Sequence, residues 1–340
     1  MAEKLPVAVV TGALGSGKTT LLRKLLAHPD MGETAVLVNE LGEVGIDHHL
    51  LRRVDERTVL LASGCLCCSM RSDLAEELRD LFSRREREEI PPFARVVVET
   101  TGLAEPAPIL ATLISEPVVK HHYRLEAVVA TVDAQHGLGR PESVRQAAAA
   151  DTLIVTKADV VEPGTVARLE EELRRLNPLA QIRTVSFGAT DPTALFGSGE
   201  REPRGLEPYV EPYVEPDASP EPDPLSGENE NHSHGNLGHR DVRAFALFLE
   251  NELDWTAFGV WLTMLLQSHG KDVLRVKGLL NVGGSGPVLL NGVQHVVHPP
   301  EHLEAWPDGD RRSRLVFVAR GLGAAEVEAS LLAFDRVARE

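Results

Sequence analysis

The chain has too few cysteines for a disulfide framework. Three occur in 340 residues, Cys65, Cys67 and Cys68, and all fall within four positions. That count and spacing exclude a set of structural bridges, and thiols so crowded read as a metal or redox site in a reducing compartment. Positive charge is also short. The 35 lysines and arginines stand against 51 acids, a net charge of -16, which argues against wrapping nucleic acid or binding an anionic membrane surface. No apolar run approaches the length that spans a bilayer. Met1–Pro6 lacks the long apolar core of a secretory signal. A cytoplasmic protein with neither nucleic acid nor membrane as partner is the expectation.

What is present is organised around Gly12-Ala13-Leu14-Gly15-Ser16-Gly17-Lys18-Thr19, which fits G-x-x-x-x-G-K-[ST]. An apolar run, Val7–Val10, precedes it and a helical pattern of Leu21, Leu22, Leu25 and Leu26 follows, the strand–loop–helix setting that a phosphate-binding loop requires. Glycines let the backbone turn its N–H groups onto a phosphate, and the helix N-terminus adds partial positive charge. Lys18 is placed to reach the β- and γ-phosphates, Thr19 to put a hydroxyl on Mg²⁺. Gly12, Gly15, Ser16, Gly17 and Thr20 complete the candidate cradle.

Apolar runs recur at Val7–Val10, Thr34–Val38, Thr58–Ala62, Arg95–Val98, Ala127–Val132 and Leu153–Val155, with helical patterns such as Ser72–Arg87 and Val166–Leu176 between them. The alternation predicts an α/β domain over residues 1–196 with a mostly parallel sheet and ligands at the strands' carboxyl ends. Residues 197–240 are rich in Pro, Glu, Gly, Ser and Asn and hold a small repeat, Tyr209–Pro212 and Tyr213–Pro216. Such a stretch reads as an extended linker. It carries His232, His234 and His239, which read either as a weak metal-holding segment or as polar linker. Residues 241–340 then predict a small α+β domain with an antiparallel sheet. Its strands are expected at Val242–Leu249, Val273–Val282, Val288–Leu290, Gln294–Val297 and Arg314–Val318. Asp254 is expected to cap a helix, Asn291-Gly292 to turn a hairpin, and Ala324–Ala338 to form a closing helix.

Three further stretches carry chemistry. Arg95–Glu99 is an apolar strand ending in an acid, the usual place for the Mg²⁺-side carboxylate, and Gly102 three residues on can offer its N–H to a γ-phosphate. Thr156-Lys157-Ala158-Asp159 follows a strand as a base-reading loop would. Asp159 can accept both N–H groups on the Watson–Crick edge of guanine, whereas adenine presents an acceptor there; the Lys157 stem can lie over the base. Thiolates at Cys65, Cys67 and Cys68 suit Zn²⁺ or Cu⁺, with Co²⁺ and Ni²⁺ as further candidates. Three cysteines cannot make a closed four-cysteine site in one chain, and an open position suits transfer. The acidic stretch Asn39–Asp47 is a natural loop for sensing the γ-phosphate and Mg²⁺.

Taken together, Gly12–Thr20, Asn39–Asp47, Gly64–Cys68 (G-C-x-C-C) and Glu99–Pro106 (E-T-T-G-L-A-E-P) resemble the four motifs of the CobW family, metal-associated P-loop GTPases related to UreG and HypB. Thr156–Asp159 resembles the family's base-reading variant. Leu274–Gly278, Gly292–His295 and Ser313–Phe317 resemble strands of its second domain, so the likeness spans all but the linker. It implies slow GTP hydrolysis coupled to delivery of Zn²⁺ or Co²⁺ to a client, a metalloprotein or a cofactor-synthesis pathway, with GTP/GDP and Mg²⁺ as ligands; a homodimer is compatible with it. It gives Lys18 and Thr19 the phosphate and Mg²⁺ roles, beside the Glu99 already read as the Mg²⁺-side acid, gives Cys65, Cys67 and Cys68 the metal role, and makes Glu43 a candidate metal or Mg²⁺-side acid. Val38 stands where some members carry a second acid. A zinc sensor or store with nucleotide as a structural ligand, and an ATP-using small-molecule kinase, are the rival readings.

Overall fold

A parallel strand covered on both sides needs apolar side chains on both faces, and the runs of the first half supply them. Together with a partly exposed edge strand that no such run marks, Gln181–Thr184, they form a seven-stranded, wholly parallel sheet in the order β3-β2-β4-β1-β5-β6-β7. Its strands are β1 (Leu5–Gly12), β2 (Thr34–Val38), β3 (Val59–Ala62), β4 (Arg95–Glu99), β5 (Tyr123–Asp133), β6 (Thr152–Thr156) and β7 (Gln181–Thr184). The computed structural model describes residues 4–38, 59–62, 70–186, 188, 190–196 and 241–339. Between and after the strands run α1 (Lys18–Leu26), α2 (Met70–Glu86), α3 (Pro106–Ser115), α4 (Pro117–His122), α5 (Pro141–Ala149), α6 (Pro163–Leu176) and α7 (Pro192–Phe196). Each helix from α3 to α7 opens on proline, whose fixed φ and missing N–H suit the first helical position.

The sheet's period of two sorts its side chains. Ala8 and Val10 face Leu21, Leu22, Leu25 and Leu26 of α1. Val7 and Val9 face the other way, toward Leu74, Leu78 and Leu81 of α2 and Ile109 and Leu110 of α3. Each fully buried leucine contributes ~1.5–3 kcal/mol, enough to hold α1, and with it the phosphate loop, in a fixed place. β1 is the central strand, with β4 on one side and β5 on the other. Chain direction across the sheet reverses there, which opens a crevice at the carboxyl ends.

The second sheet is antiparallel and six-stranded, in the order β11-β10-β9-β13-β8 with β12 on β10. Its strands are β8 (Val242–Leu249), β9 (Val273–Leu280), β10 (Val288–Val293), β11 (Val296–Val297), β12 (Glu301–His302) and β13 (Ser313–Arg320). Helices α8 (Trp255–His269) and α9 (Ala324–Arg339) cover one face. The core there is Phe245 stacked on Phe317 with Trp261 at its edge. Asp254 caps α8 as expected: its Oδ1 accepts from the Ala257 N–H at 2.7 Å. Among the described residues no helix is long and apolar enough to cross a membrane.

Two linked local expectations fail, the turn at Asn291-Gly292 and the strand over Gln294–Val297, of which only Val296–Val297 is strand. Asn291 and Gly292 lie within β10, and the chain reverses at Gln294-His295, between the paired Val293 and Val296. Gln294 takes the left-handed conformation there, with φ 52°. Gly292 serves close packing: a Cβ would sit 2.8 Å from Val276 Cγ1.

The two sheets meet through named side chains. Val293 and Val296, flanking the β10–β11 turn, join the apolar cluster of Ala107, Ile109 and Leu110 on α3. Val242, Leu274 and Val318 join that of Val144, Ala147 and Ala148 on α5 and Leu169 and Leu173 on α6. The β9–β13 register slips between Val318 and Ala319, skipping Leu274. This irregularity lets consecutive residues Leu274 and Arg275 both face the first sheet's helices. Arg275, 1% exposed, donates to Ala149 O and Ala150 O at 2.5 and 2.7 Å and to Asp151 Oδ1 at 2.6 Å. His298 lies close to this junction. Burial pushes its pKa down to about 4, Asp151 opposing that shift and Arg275 and Lys277 adding to it.

Candidate nucleotide site

The glycine loop joins β1 to α1 at the crevice. Gly12 has φ 143°, and a Cβ there would lie 2.2 Å from Thr131 Oγ1 and 2.5 Å from Thr131 O; only glycine fits. Gly17 caps α1 without a side-chain hydrogen bond, and the helix's first turn holds no acid. The usual occupants of a helix N-terminus are thus absent, which leaves its N–H groups and its positive dipole end to an anion. Lys18 is buried and folds over the loop, its Nζ donating to Gly12 O at 2.8 Å and Ala13 O at 3.1 Å. Ser16 Oγ and Thr131 Oγ1, 2.6 Å apart, fix the loop to the end of β5.

On the β4 side, Thr19 Oγ1 donates to Glu99 Oε1 at 3.0 Å, and Glu99 is 4% exposed. The two residues, 80 apart in sequence, thus meet at the start of α1. A hydroxyl and a carboxylate are hard oxygen donors, the set that suits Mg²⁺. Thr100 N donates to Val10 O at 2.9 Å, and Thr100 Oγ1 to Thr11 Oγ1 at 2.9 Å, so the segment after β4 is stitched to β1. Gly102 then lies on the phosphate loop: a Cβ would come 2.3 Å from Leu14 N.

On the β5 side, Thr156 Oγ1 donates to Ser16 O at 2.7 Å and Val132 O at 3.3 Å. Threonine thus ties this loop to the phosphate loop at a position where asparagine is more familiar. Lys157 takes a left-handed φ of 57°, and its Nζ donates to Asp133 Oδ2 at 2.5 Å. Asp133 Oδ1 also accepts from Gln135 N at 2.8 Å, and Oδ2 pairs with His136 Nδ1 at 3.1 Å. Burial pushes this carboxyl up, but the bonds from Lys157, Gln135 and His136 outweigh it and hold Asp133 below the usual carboxylate range. Asp159 stands exposed in the 3₁₀ turn Ala158–Val160.

Asp133, Thr131 and Gln146 were not singled out by motif. Asp133 repeats the pattern that marked Glu99, an apolar strand ending in an acid, and that pattern was readable. Gln146 carries no such mark, being one long polar residue before a run of alanines. Cys65, Cys67, Cys68, Glu43, the rest of Asn39–Asp47, and His232, His234 and His239 lie outside the described residues. The strand leading to the cysteines is described, and its register is informative. Ala62 pairs with Val38, Val38 with Glu99, and Glu99 with Val10.

A parallel sheet with a glycine loop at its central strand, a lysine folded over that loop, and a threonine–acid pair beside it defines a P-loop nucleotide-binding protein. Residues 6–184 match the CobW/HypB/UreG nucleotide-binding domain and residues 242–335 the cobalamin synthesis protein cobW C-terminal domain, and the chain belongs to this family. It is 30% identical over 331 residues to the zinc chaperone YjiA of Escherichia coli, covering 96% of this chain and 97% of that one. It is 28% identical to the zinc chaperone CobW of Pseudomonas aeruginosa, over 95% and 90% of the two chains. The crystal structure of Zn(II)-bound YjiA GTPase from E. coli superposes with a TM-score of 0.69 at 26% identity, over 98% of this chain and 99% of that one.

Proposed function

We propose that the chain is a GTPase that carries Zn²⁺ on the Cys65/Cys67/Cys68 loop and changes its grip on the metal with the state of the nucleotide. The observation that carries this reading is the register Ala62–Val38–Glu99 along one edge of the sheet. Neighbouring strands lie ~4.8 Å apart, so the end of β3 is roughly 10 Å from Glu99. Cys65 follows Ala62 by three residues and Asn39 follows Val38 directly. Strands β2 and β3, which lead into the acidic and metal-loop segments, therefore end at the same carboxyl edge as Glu99.

In this reading Lys18 releases the loop carbonyls for the β- and γ-phosphates, and Gly102 presents its N–H to the γ-phosphate. Thr19 and Glu99 hold Mg²⁺, which neutralises charge on the phosphates. Asp159 reads the guanine edge, with the Lys157 stem over the base. When the γ-phosphate leaves, the Glu99–Pro106 and Asn39–Asp47 segments lose a ligand they share, and the cysteine loop leaving the same edge changes its metal affinity. Linkage then requires metal to alter nucleotide affinity by the same factor. That named relatives are zinc chaperones favours Zn²⁺ over Co²⁺; the client is a metalloprotein or a cofactor-synthesis pathway.

The test is Zn²⁺ affinity by chelator competition with a non-hydrolysable GTP analogue or GDP bound, with Cys67→Ala/Cys68→Ala as control. We expect a difference of tenfold or more, ~1.4 kcal/mol of coupling, that the double variant abolishes. Equal affinity in both states would sink the gating and leave a GTPase beside a zinc store.

A further inference from the structure

The Gly102 segment is held by a helix that the second domain also holds. Gln146, on α5, is 1% exposed, and its Nε2 donates to Gly102 O and to Ala104 O, both at 3.1 Å. Arg145, the residue before it, pairs with Glu105 at 3.1 Å. Consecutive side chains of α5 thus grip three residues of the segment that follows Glu99. The grip presses Gly102 onto Leu14 of the phosphate loop, where there is no room for a Cβ.

The C-terminal end of the same helix, just beyond Gln146, is capped from two sides. An α-helix leaves its last carbonyls unpaired and carries partial negative charge there. Asn177 Nδ2 donates to Ala147 O, Ala148 O and Ala150 O at 2.9, 3.1 and 2.9 Å. Arg275, from β9 of the second domain, places its guanidinium on Ala149 O, Ala150 O and Asp151. A guanidinium at a helix C-terminus is favourable in charge as well as in hydrogen bonding. Ala147 and Ala148 share one apolar cluster with Leu274 and Val318, and a helix held this way on both sides does not shift without moving either the segment or the second domain.

We infer that Gln146 is a positioning residue for the γ-phosphate-sensing segment, and that through α5 the docking of the second domain by Arg275 sets how well the site tells GTP from GDP. The inference rests on the reading of Gly102 as the γ-phosphate contact. With Gln146 in place, the Gly102 N–H is held where a third phosphate can use it. A two-phosphate nucleotide makes no such contact and gains nothing from the clamp.

The full-length protein tests this by fluorescence titration with N-methylanthraniloyl-labelled GMPPNP and GDP. Gln146→Met keeps the length and removes both donors. We expect it to weaken GMPPNP about tenfold while GDP stays within about twofold. Arg275→Met is expected to move the same ratio about threefold in the same direction, and the double variant to fall short of the product of the two, since both act through one helix. Arg275→Lys keeps a cation at the helix end, gives an intermediate shift, and serves if the methionine variant does not fold. A merely structural role for Gln146 would weaken both nucleotides together, and that result overturns the inference. So does an Arg275→Lys protein that folds, as judged by circular dichroism, with an unchanged ratio. If the wild-type protein itself fails to distinguish GMPPNP from GDP, the γ-phosphate reading fails and the inference falls with it. Discrimination in the wild type that survives both variants sinks the inference alone.

Discussion

Strands β4 and β5 flank β1 and end alike: each is an apolar run closed by a buried acid at the crevice. Their acids do different things. Glu99 accepts from a neutral hydroxyl, Thr19 on the phosphate loop's own helix. Asp133 accepts from an ammonium, Lys157 on the loop after β6. The first pair is a set of oxygen donors fit for a divalent cation. The second is an ion pair already satisfied within the protein, and it fixes where the lysine's ammonium lies. The same local pattern therefore marks the binding edge of a parallel sheet but leaves the chemistry to be set by what the neighbouring loop brings across.

Replacing the first acid is expected to have the largest effect. Glu99→Gln keeps the size and a hydrogen-bonding carbonyl but removes the charge. We expect Mg²⁺-dependent kcat to fall about a hundredfold, ~2.7 kcal/mol, while GDP binding in EDTA stays within about twofold. A loss under about fivefold in a phosphate-release assay would place the Mg²⁺-side acid elsewhere. The matching change on the other side, Asp133→Asn, should act on binding and spare chemistry. With Lys157 no longer aimed, GDP affinity should drop about tenfold, ~1.4 kcal/mol, at a kcat within about twofold. If Asp133→Asn instead lowers kcat and leaves affinity alone, the two acids are not divided as their partners suggest.

The sequence made the edge readable because phosphate binding demands particular residues at particular steps. Gly12 is dictated by a 2.2 Å approach to Thr131, and Lys18 and Thr19 follow from where the helix begins. Six of the parallel strands were readable because two-sided burial leaves few polar positions, whereas the edge strand β7, Gln181–Thr184, is mostly polar and partly exposed and was not; β8 lies where its alternation puts it, Val242–Leu249. What could not be read was long-range pairing. Nothing local ties Gln146 to Gly102 across 44 residues, or Arg275 to Ala149 across 126. The Asn291-Gly292 turn was misplaced for a related reason. That dipeptide satisfies a local preference for tight turns, but the strand contact with Val276 claims Gly292 first.

The smallest expected effect concerns a half-buried group that loses its charge where Asp133 keeps it. At Asp133 the donated hydrogen bonds outweigh burial. At His298 burial wins: the pKa falls to about 4, and the ring stays neutral beside Arg275 and Lys277 despite Asp151. The unfolded chain's histidine titrates at its ordinary value, 6.5. Between those values the unfolded state binds the extra proton, so stability rises with pH and is lost as pH falls through this window. For this group alone the loss from about pH 7.5 to about pH 6 is ~0.8 kcal/mol, and it levels off below about pH 4. Urea unfolding at the two pH values should show that loss in the wild type, and His298→Gln should remove most of it. An unchanged pH slope in His298→Gln would mean that the histidine meets water at the domain junction. The contrast with Asp133 would then reduce to exposure and not to partners.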